Sequence, residues 1–492
     1  MKINSMNNLD IIFKERYGSS STSEFYYVQP PGENRIILIS PHKFSNIATF
    51  ITKIFLPQGY PESVSKDYVA YQIWDTAQAF CSTITGILAT QEVLRGVGVG
   101  DSAATPLAAT ITWVIKDGCG HMARILFAFS HGTHLDAYSK KWRLYADTLN
   151  DAAMCIEIAL PLFKNYTTFA LCISTIMKAI VGVAGGATRI AMTQHHAIRG
   201  NMADVSAKDS AQETAVNLIA SITAILILSI FGNSLAIFLS MIVLHIIFNY
   251  FAVRAVCLKT LNEARFLQVI DMYLRQEVIA TPCEMNRKEP IIFYQLGHNL
   301  LDLKMSGFHI KLGNSMKHSI KYNYNAKYYK KLRELYCERA YILLPNIKKR
   351  ETHVFFKVGV TTDKILCAYF HAVLLSIVTY AINNCSLPSF TNVDNPRPFA
   401  QICQTLKSAE WCRVSYEDRN KPNNFVYEPS CELIKYIDDT VQKEWPRIRC
   451  GLLATGWDLQ KHLLIVDEWR VICKENVDGE HNIINNYLPS QR

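Results

Sequence analysis

The chain has 492 residues, 49% of them hydrophobic and only 19% charged, with a formal net charge of +9. A charged share below the roughly 25% of an ordinary soluble domain, with a mean hydropathy of +0.06, points to one membrane or deeply buried half beside one soluble half. The charge is mildly basic, which sets aside a dedicated nucleic-acid binder, and the length calls for two domains, or three with a small N-terminal piece.

Residues 1–45 read as an N-terminal appendage. Gly18-Ser19-Ser20-Ser21-Thr22-Ser23 is a flexible run, Pro30-Pro31-Gly32 a turn, and 25–28 and 36–39 are strand-like. The first 24 residues include Asp10, Glu15 and Glu24 and no long apolar stretch, so neither a signal peptide nor a plastid transit peptide is expected there.

From 46 to 258 helical periodicity dominates. Pro57-Gln58-Gly59-Tyr60-Pro61 precedes a helix over about 64–95, which the glycines at 96, 98 and 100 end. Asp101 or Ser102 can cap the next helix, through Trp113 to Phe129. A loop with Lys140, Lys141 and Arg143 leads to helices over about 144–163 and 166–198. Gly120-His-Met-Ala-Arg124-Ile125 is echoed by Gly185-Gly-Ala-Thr-Arg189-Ile190, each followed by an acidic, Ala-rich helix start (Asp147 to Ala153, Asp209 to Ala215), as a duplicated helical unit would be. Gly182 and Gly186 form a G-x-x-x-G that permits close helix approach.

The strongest signal is residues 214–253, forty positions without Asp, Glu, Lys or Arg, interrupted by Gly232-Asn233-Ser234. The halves, 214–231 and 235–253, approach the roughly 20 residues that cross a bilayer core. The run reads as a transmembrane hairpin; its alternative is a buried hairpin of a large soluble bundle. From 259 to 492 the chain reads as a C-terminal α/β (α+β) domain. An amphipathic helix over 254–276 joins the halves. Strands at 340–344 and 353–360, helices at 362–381 and 431–445, and an Asn- and Pro-rich loop at 383–398 follow. Fourteen cysteines, from Cys81 to Cys473, form no C-x-x-C pair; reduced thiols and a cytosolic C-terminal half are expected.

Several strings resemble the Root UVB Sensitive family: Leu56-Pro-Gln-Gly-Tyr-Pro-Glu-Ser-Val64, Tyr68-Val-Ala-Tyr-Gln-Ile-Trp-Asp75, Gly96-Val-Gly-Val-Gly-Asp101-Ser-Ala-Ala-Thr-Pro106, Trp113-Val-Ile-Lys-Asp-Gly118 and Leu261-Asn-Glu-Ala-Arg265. The resemblance covers roughly 50–280, with a more variable tail. It implies a link to ultraviolet-B sensitivity, vitamin B6 balance and auxin transport. It brings no established reaction and no catalytic residues.

Among the residues that can carry chemistry, Lys116 and Arg124 share a helix face with Thr112 and Gly120. Asp117 lies beside Lys116, Asp75 on the preceding helix, and Lys178 and Arg189 in the repeated unit. Charges in a bilayer core are costly and line cavities or pair across helices, so this set reads as a polar pathway or an anion-binding pocket, the alternatives being structural ion pairs or charges at the membrane surface. Lys311, Lys317, Lys321, Lys327, Lys330, Lys331 and Arg333, interleaved with Tyr322, Tyr324, Tyr328 and Tyr329, suit an anionic lipid surface better than RNA; a plain solvated surface is the alternative. In Gly96 to Asp101 an aspartate stands where a dinucleotide fingerprint needs glycine. His121, His131, His134 and Asp136 match no metal template, and the adjacent His195 and His196 should point to different parts of a helix.

With no nucleophile, zincin, Walker or kinase signature and no cofactor motif, the expectation is a mainly α, membrane-embedded, non-enzymatic protein of an intracellular membrane with its C-terminal domain in the cytosol. It would bind or transport a small polar or anionic solute, or scaffold at the membrane. The alternative is a hairpin-anchored adaptor acting through protein partners, family members included.

Overall fold

The computed structural model describes residues 10–16, 24–32, 34–39, 46–96, 106–291, 306–320, 326–384 and 428–472. The glycine run beyond Gly96, its cap at Asp101 or Ser102, and most of the Asn- and Pro-rich loop lie outside these residues. The chain separates into two compact units, Met1–Leu258 with Ile291–Phe293 and Lys259–Pro290 with Tyr294–Arg492.

The first unit opens with an antiparallel sheet of β1 (Asp10–Arg16), β2 (Glu24–Gln29) and β3 (Ile37–Ile39). β1 has no counterpart in the sequence reading. All seven of its residues are exposed, so no buried face imposes the alternation by which a strand is recognised. Then come α1 (Asn46–Phe55), α2 (Tyr68–Gly96), α3 (Pro106–Ala137), α4 (Ser139–Ile158), α5 (Thr167–His196), α6 (Met202–Phe231) and α7 (Leu235–Ala255). A 3-10 stretch over Leu160–Tyr166 replaces the last turn expected after α4, because Pro161 has no N–H with which to continue the α-helical ladder. The α6–α7 hairpin breaks where expected: Gly232 adopts φ +65°, and Asn233 donates to the Leu88 carbonyl and the Glu92 carboxylate of α2.

α2 packs against α4, α6 and α7, and α5 lies against α3 and α4. α3 packs tightly on α5 at Gly120, where a Cβ would stand 2.9 Å from Thr175; at Gly186 a Cβ would meet nothing within 4 Å. The helices are inverted relative to a soluble bundle. α6 buries Ala220, Ala224 and Asp209 and exposes Leu218, Ile222, Ile225 and Ile230; α7 exposes Leu235, Leu239 and Val243; α3 exposes Val114, Ile125 and Phe129. α5, α6 and α7 are each long and apolar enough to cross a membrane, and only 28%, 11% and 33% of their most apolar windows is buried.

The second unit begins differently from expectation. Instead of one helix over 254–276, the chain ends α7 at Ala255, forms β4 (Thr260–Asn262), and starts α8 (Glu263–Gln276) afterwards. β4 pairs in parallel with β8 (Asp458–Leu463), and the Asn262 side chain caps α8 by accepting from the Arg265 N–H at 2.8 Å. A capping asparagine and a paired strand fix a helix start that amphipathicity alone would place earlier. α9 (Pro282–Lys288), β5 (His309–Leu312), a single helical turn over Lys317–Ile320, α10 (Ala326–Leu335), β6 (Tyr341–Asn346), β7 (Glu351–Lys357), α11 (Thr362–Asn384), α12 (Cys431–Thr455) and β9 (Arg470–Val471) complete the described elements. β7 is flanked by β5 in parallel and β6 in antiparallel, and β9 joins it in parallel. α12 runs through Pro446, ten residues beyond the sequence estimate. Buried Trp445, Ile448 and Leu452 hold it past the proline, and Gly456 at φ +94° ends it. The fourth long apolar helix segment, Thr362–Tyr380, has 83% of its window buried: Leu366, Ala368, Phe370 and 372–375 form the core of this unit, so it is apolar all round for packing reasons.

Candidate functional site

The inward faces of the first unit's helices carry polar residues at helical spacing. α2 supplies Gln72, Asp75 and Gln78; α4 supplies Arg143, Asp147 and Asp151; α7 supplies His245 and Asn249. Arg143 donates to Asp75 at 3.0 Å and lies 3.6 Å from Asp147, to which Asn249 also donates. Gln78 donates its amide to Asp75 at 3.3 Å, which turns its carbonyl towards His245 Nε2 at 2.7 Å. His245 Nδ1 faces both Asp151 carboxylate oxygens at 2.8 Å. With acceptors at both ring nitrogens, His245 has the surroundings of an imidazolium. The group is continuous and one end of it is nearly sealed: His245 and Asp151 keep 1% and 3% side-chain exposure, against 16%, 12% and 19% at Asp75, Arg143 and Asp147.

Three carboxylates (Asp75, Asp147, Asp151) thus share one guanidinium and one imidazole. Even with His245 charged the group is one negative charge in excess, so it can take up a further proton or a cation and is poorly suited to an anion. A second cluster adjoins it through α2: Gln72 donates to Asp209 at 3.0 Å, Arg189 grips the same carboxylate at 2.7 and 2.9 Å, and Arg189 also meets Glu213 at 2.6 Å.

Of the residues singled out from sequence, Asp75 and Arg189 belong to these clusters. Lys178 pairs with Glu157 at 2.6 Å on another part of the bundle. Lys116 is held by Asp117 at 3.2 Å and stands 4.0 Å from the Trp113 ring centroid, and Arg124 is exposed. The groove nearest them, about 680 Å³ between α3 and α5, is lined by apolar side chains such as Ile115, Met122, Leu126 and Ile180. The echoed arginines therefore have different surroundings, one exposed and one ion-paired. Arg143, Asp147, Asp151 and His245 were missed. The available signal was His245, the one histidine in the forty-residue run.

The basic segment of the second unit is partly described. Lys327, Lys330, Lys331 and Arg333 lie exposed on α10, Lys317 is exposed and Lys311 half-buried on β5; Lys321, Tyr322 and Tyr324 lie outside the described residues. Tyr328 and Tyr329 pack against the hydrophobic core, which removes them as free stacking platforms.

Fold and site together define a mainly helical protein in which long apolar helices enclose an ionisable interior. Residues 41–277 match the vitamin B6 photo-protection and homoeostasis domain, and residues 278–473 match the root UVB sensitive protein C-terminal domain. The chain belongs to the root UVB sensitive family. It is 42% identical over 300 residues to RUS family member 1 of Dictyostelium discoideum, covering 59% of this chain and 57% of that one. It is 36% identical over 287 residues to protein root UVB sensitive 3 of Arabidopsis thaliana, covering 57% of this chain and 65% of that one. It is 26% identical over 333 residues to the chloroplastic protein root UVB sensitive 2 of the same plant, covering 66% of this chain and 73% of that one. The match thus spans less than two thirds of the first two relatives' length. No solved structure matches the chain.

Proposed function

We propose that the protein is integral to an intracellular membrane and that its bundle binds and passes a proton together with a small polar solute. The supporting observation is the Asp151–His245–Gln78–Asp75–Arg143–Asp147 chain, buried between helices whose outer faces are bare hydrocarbon. Ionisable groups in such a setting are expensive and mark proton or solute pathways. The excess of carboxylate directs the solute class towards neutral or cationic molecules. The family's description makes an unphosphorylated vitamin B6 form the first one to test. The C-terminal unit faces the cytosol, where the basic face of α10 can rest on anionic lipid.

The test is flux into liposomes that contain the purified full chain and an internal pH dye, with pyridoxine or pyridoxamine outside. Solute-dependent acidification or alkalinisation is expected, and Asp151→Asn and His245→Gln should reduce it to the rate of protein-free liposomes. Wild-type protein indistinguishable from empty liposomes overturns the proposal. A scaffold acting through protein partners is the second reading, favoured by the apolar lining of the α3–α5 groove. Under it, Asp151→Asn accumulates normally and fully rescues cells lacking the protein.

A further inference from the structure

Four polar side chains outside that network meet at one end of the first unit's bundle. Ser65 and Asp67 immediately precede α2, and His195 and His196 close the last turn of α5. The two segments are pinned together: the Ser65 N–H donates to the His196 carbonyl at 3.1 Å, and Val64 bridges Ala197. Adjacent histidines on a helix are expected to diverge, yet here both rings approach one carboxylate. His195 Nε2 lies 2.8 Å from Asp67 Oδ2 and His196 Nδ1 lies 3.8 Å from Asp67 Oδ1. The Cys257 N–H donates to Asp67 Oδ2 at 2.6 Å, and Ser65 Oγ is 2.6 Å from His196 Nδ1. Tyr68 and Tyr71 pack on the His196 ring with centroids 5.5 and 5.0 Å away, and His196 Nε2 is buried with no hydrogen-bond partner.

Helix macrodipoles favour an acid before α2 and imidazoles at the end of α5, and that accounts for one Asp–His pair. It does not account for a second imidazole converging on the same carboxylate. The three ligating atoms all lie within 4.8 Å of one another. Around a tetrahedral zinc ion with bonds of about 2.0–2.1 Å, neighbouring ligand atoms sit about 3.3 Å apart. The two donor–acceptor distances, 2.8 and 3.8 Å, bracket that value. Two imidazoles and one carboxylate suit a divalent transition ion, whereas calcium and magnesium prefer oxygen alone.

We infer that Asp67, His195 and His196 form a binding site for one divalent transition-metal ion of the zinc class. The Cys257 N–H orients Asp67, and the Ser65 hydroxyl, which sits on His196 Nδ1, turns away when that nitrogen takes the ion. Asp67 and His195 keep 14% and 11% side-chain exposure, so the fourth position is open to water or another ligand. The ion ties the entry of α2 to the exit of α5.

Titration of the detergent-solubilised full chain with Co²⁺ tests this. One equivalent should bind with the intense visible bands of a tetrahedral site, and Zn²⁺ should displace it. Asp67→Ala and the double variant His195→Gln/His196→Gln should lose the bands. Ser65→Ala, which removes the hydroxyl that competes for His196 Nδ1, should keep the bands. His131→Gln/His134→Gln should leave binding unchanged. Absence of a stoichiometric band in the wild type, or its survival in the double histidine variant, overturns the site. If a ligand variant fails to accumulate, X-ray absorption at the zinc edge of the wild-type protein decides: two imidazoles in the shell support the site, and fewer overturn it.

Discussion

Arg265 is the largest fully buried side chain of the described residues, and its environment explains the Leu261-Asn-Glu-Ala-Arg265 string. Its guanidinium donates to the Thr260 carbonyl at 2.9 Å and to the Glu289 carboxylate at 3.0 and 3.2 Å, while Asn262 donates to Glu289 and caps α8. The string was legible from the sequence; its partner was not, because nothing local marks Glu289 as the acid that will meet it. Removing one member of a buried pair strands the other charge. Arg265→Ala should therefore destabilise the protein by roughly 3–5 kcal/mol, seen as a lower thermal midpoint, with Arg265→Lys intermediate; an unchanged midpoint would show that Glu289 is solvated. His371 sets a pH dependence. Burial first, and then the Arg339 guanidinium, push its pKa from 6.5 down to about 3. The groups around it are Tyr341, whose hydroxyl is 3.1 Å away, Asp438 at 3.8 Å, Tyr336 and Arg339. The unfolded chain takes up a proton on this residue below about pH 6.5 and the folded chain does not until about pH 3. Its contribution is thus favourable above 6.5 and is lost progressively as the pH falls towards 3. Urea midpoints measured across that window should decline less steeply in His371→Gln than in the wild type, and parallel curves would remove His371 as a source of acid sensitivity.

At the scale of elements, hydropathy found the α6–α7 hairpin and its break but cannot say what covers an apolar helix. α11 is also long and apolar enough to cross a membrane, yet it is buried within the second unit, while α6 is mostly uncovered. The interior network shows the same limit. Asp75 and Arg189 stood out as charges in weakly polar helices, but Arg143 lies 68 positions from Asp75 and His245 lies 94 from Asp151. Periodicity places residues on a face of their own helix and does not name the helix opposite. Neighbouring positions of α6 separate the two environments. Ala224 is fully buried and Ile225 is 60% exposed. Ala224→Leu should overpack the bundle interior at a cost of about 1–3 kcal/mol, lowering the yield of monodisperse protein. Ile225→Arg, on the face that the proposal sets against lipid, should cost roughly 2.5–3.5 kcal/mol of insertion and lower the carbonate-resistant fraction. If Ile225→Arg instead raises solubility without loss of protein, that face of α6 meets water.

For the molecule as a whole, the proposal that the chain spans a membrane carries a prediction about the side each end occupies. A hairpin returns to the side it left, so the N-terminus of α6 and the C-terminus of α7 share one face. Positive flanking residues favour the cytosol. Of the three that follow the hairpin, Arg265 is sealed in an ion pair and carries no such weight, whereas exposed Lys259 and half-buried Arg254 remain. Lys208 near the start of α6 and the exposed lysines and arginine of α10 add to the same side if the second unit lies there. Cysteine usage agrees: in the second unit Cys283, Cys337 and Cys450 carry exposed thiols, which persist in a reducing compartment and are oxidised or lost outside it. In sealed, right-side-out organelles, a membrane-impermeant maleimide should therefore label Cys337 and Cys450 without detergent, and Cys337→Ser/Cys450→Ser should reduce the label by the share those two carry. Buried Cys81 and Cys367 should react only after unfolding. Labelling of the pair that appears only once the membrane is permeabilised would put the C-terminal unit in the lumen, and the lysines around the hairpin would then have lost to a stronger topogenic signal elsewhere in the chain.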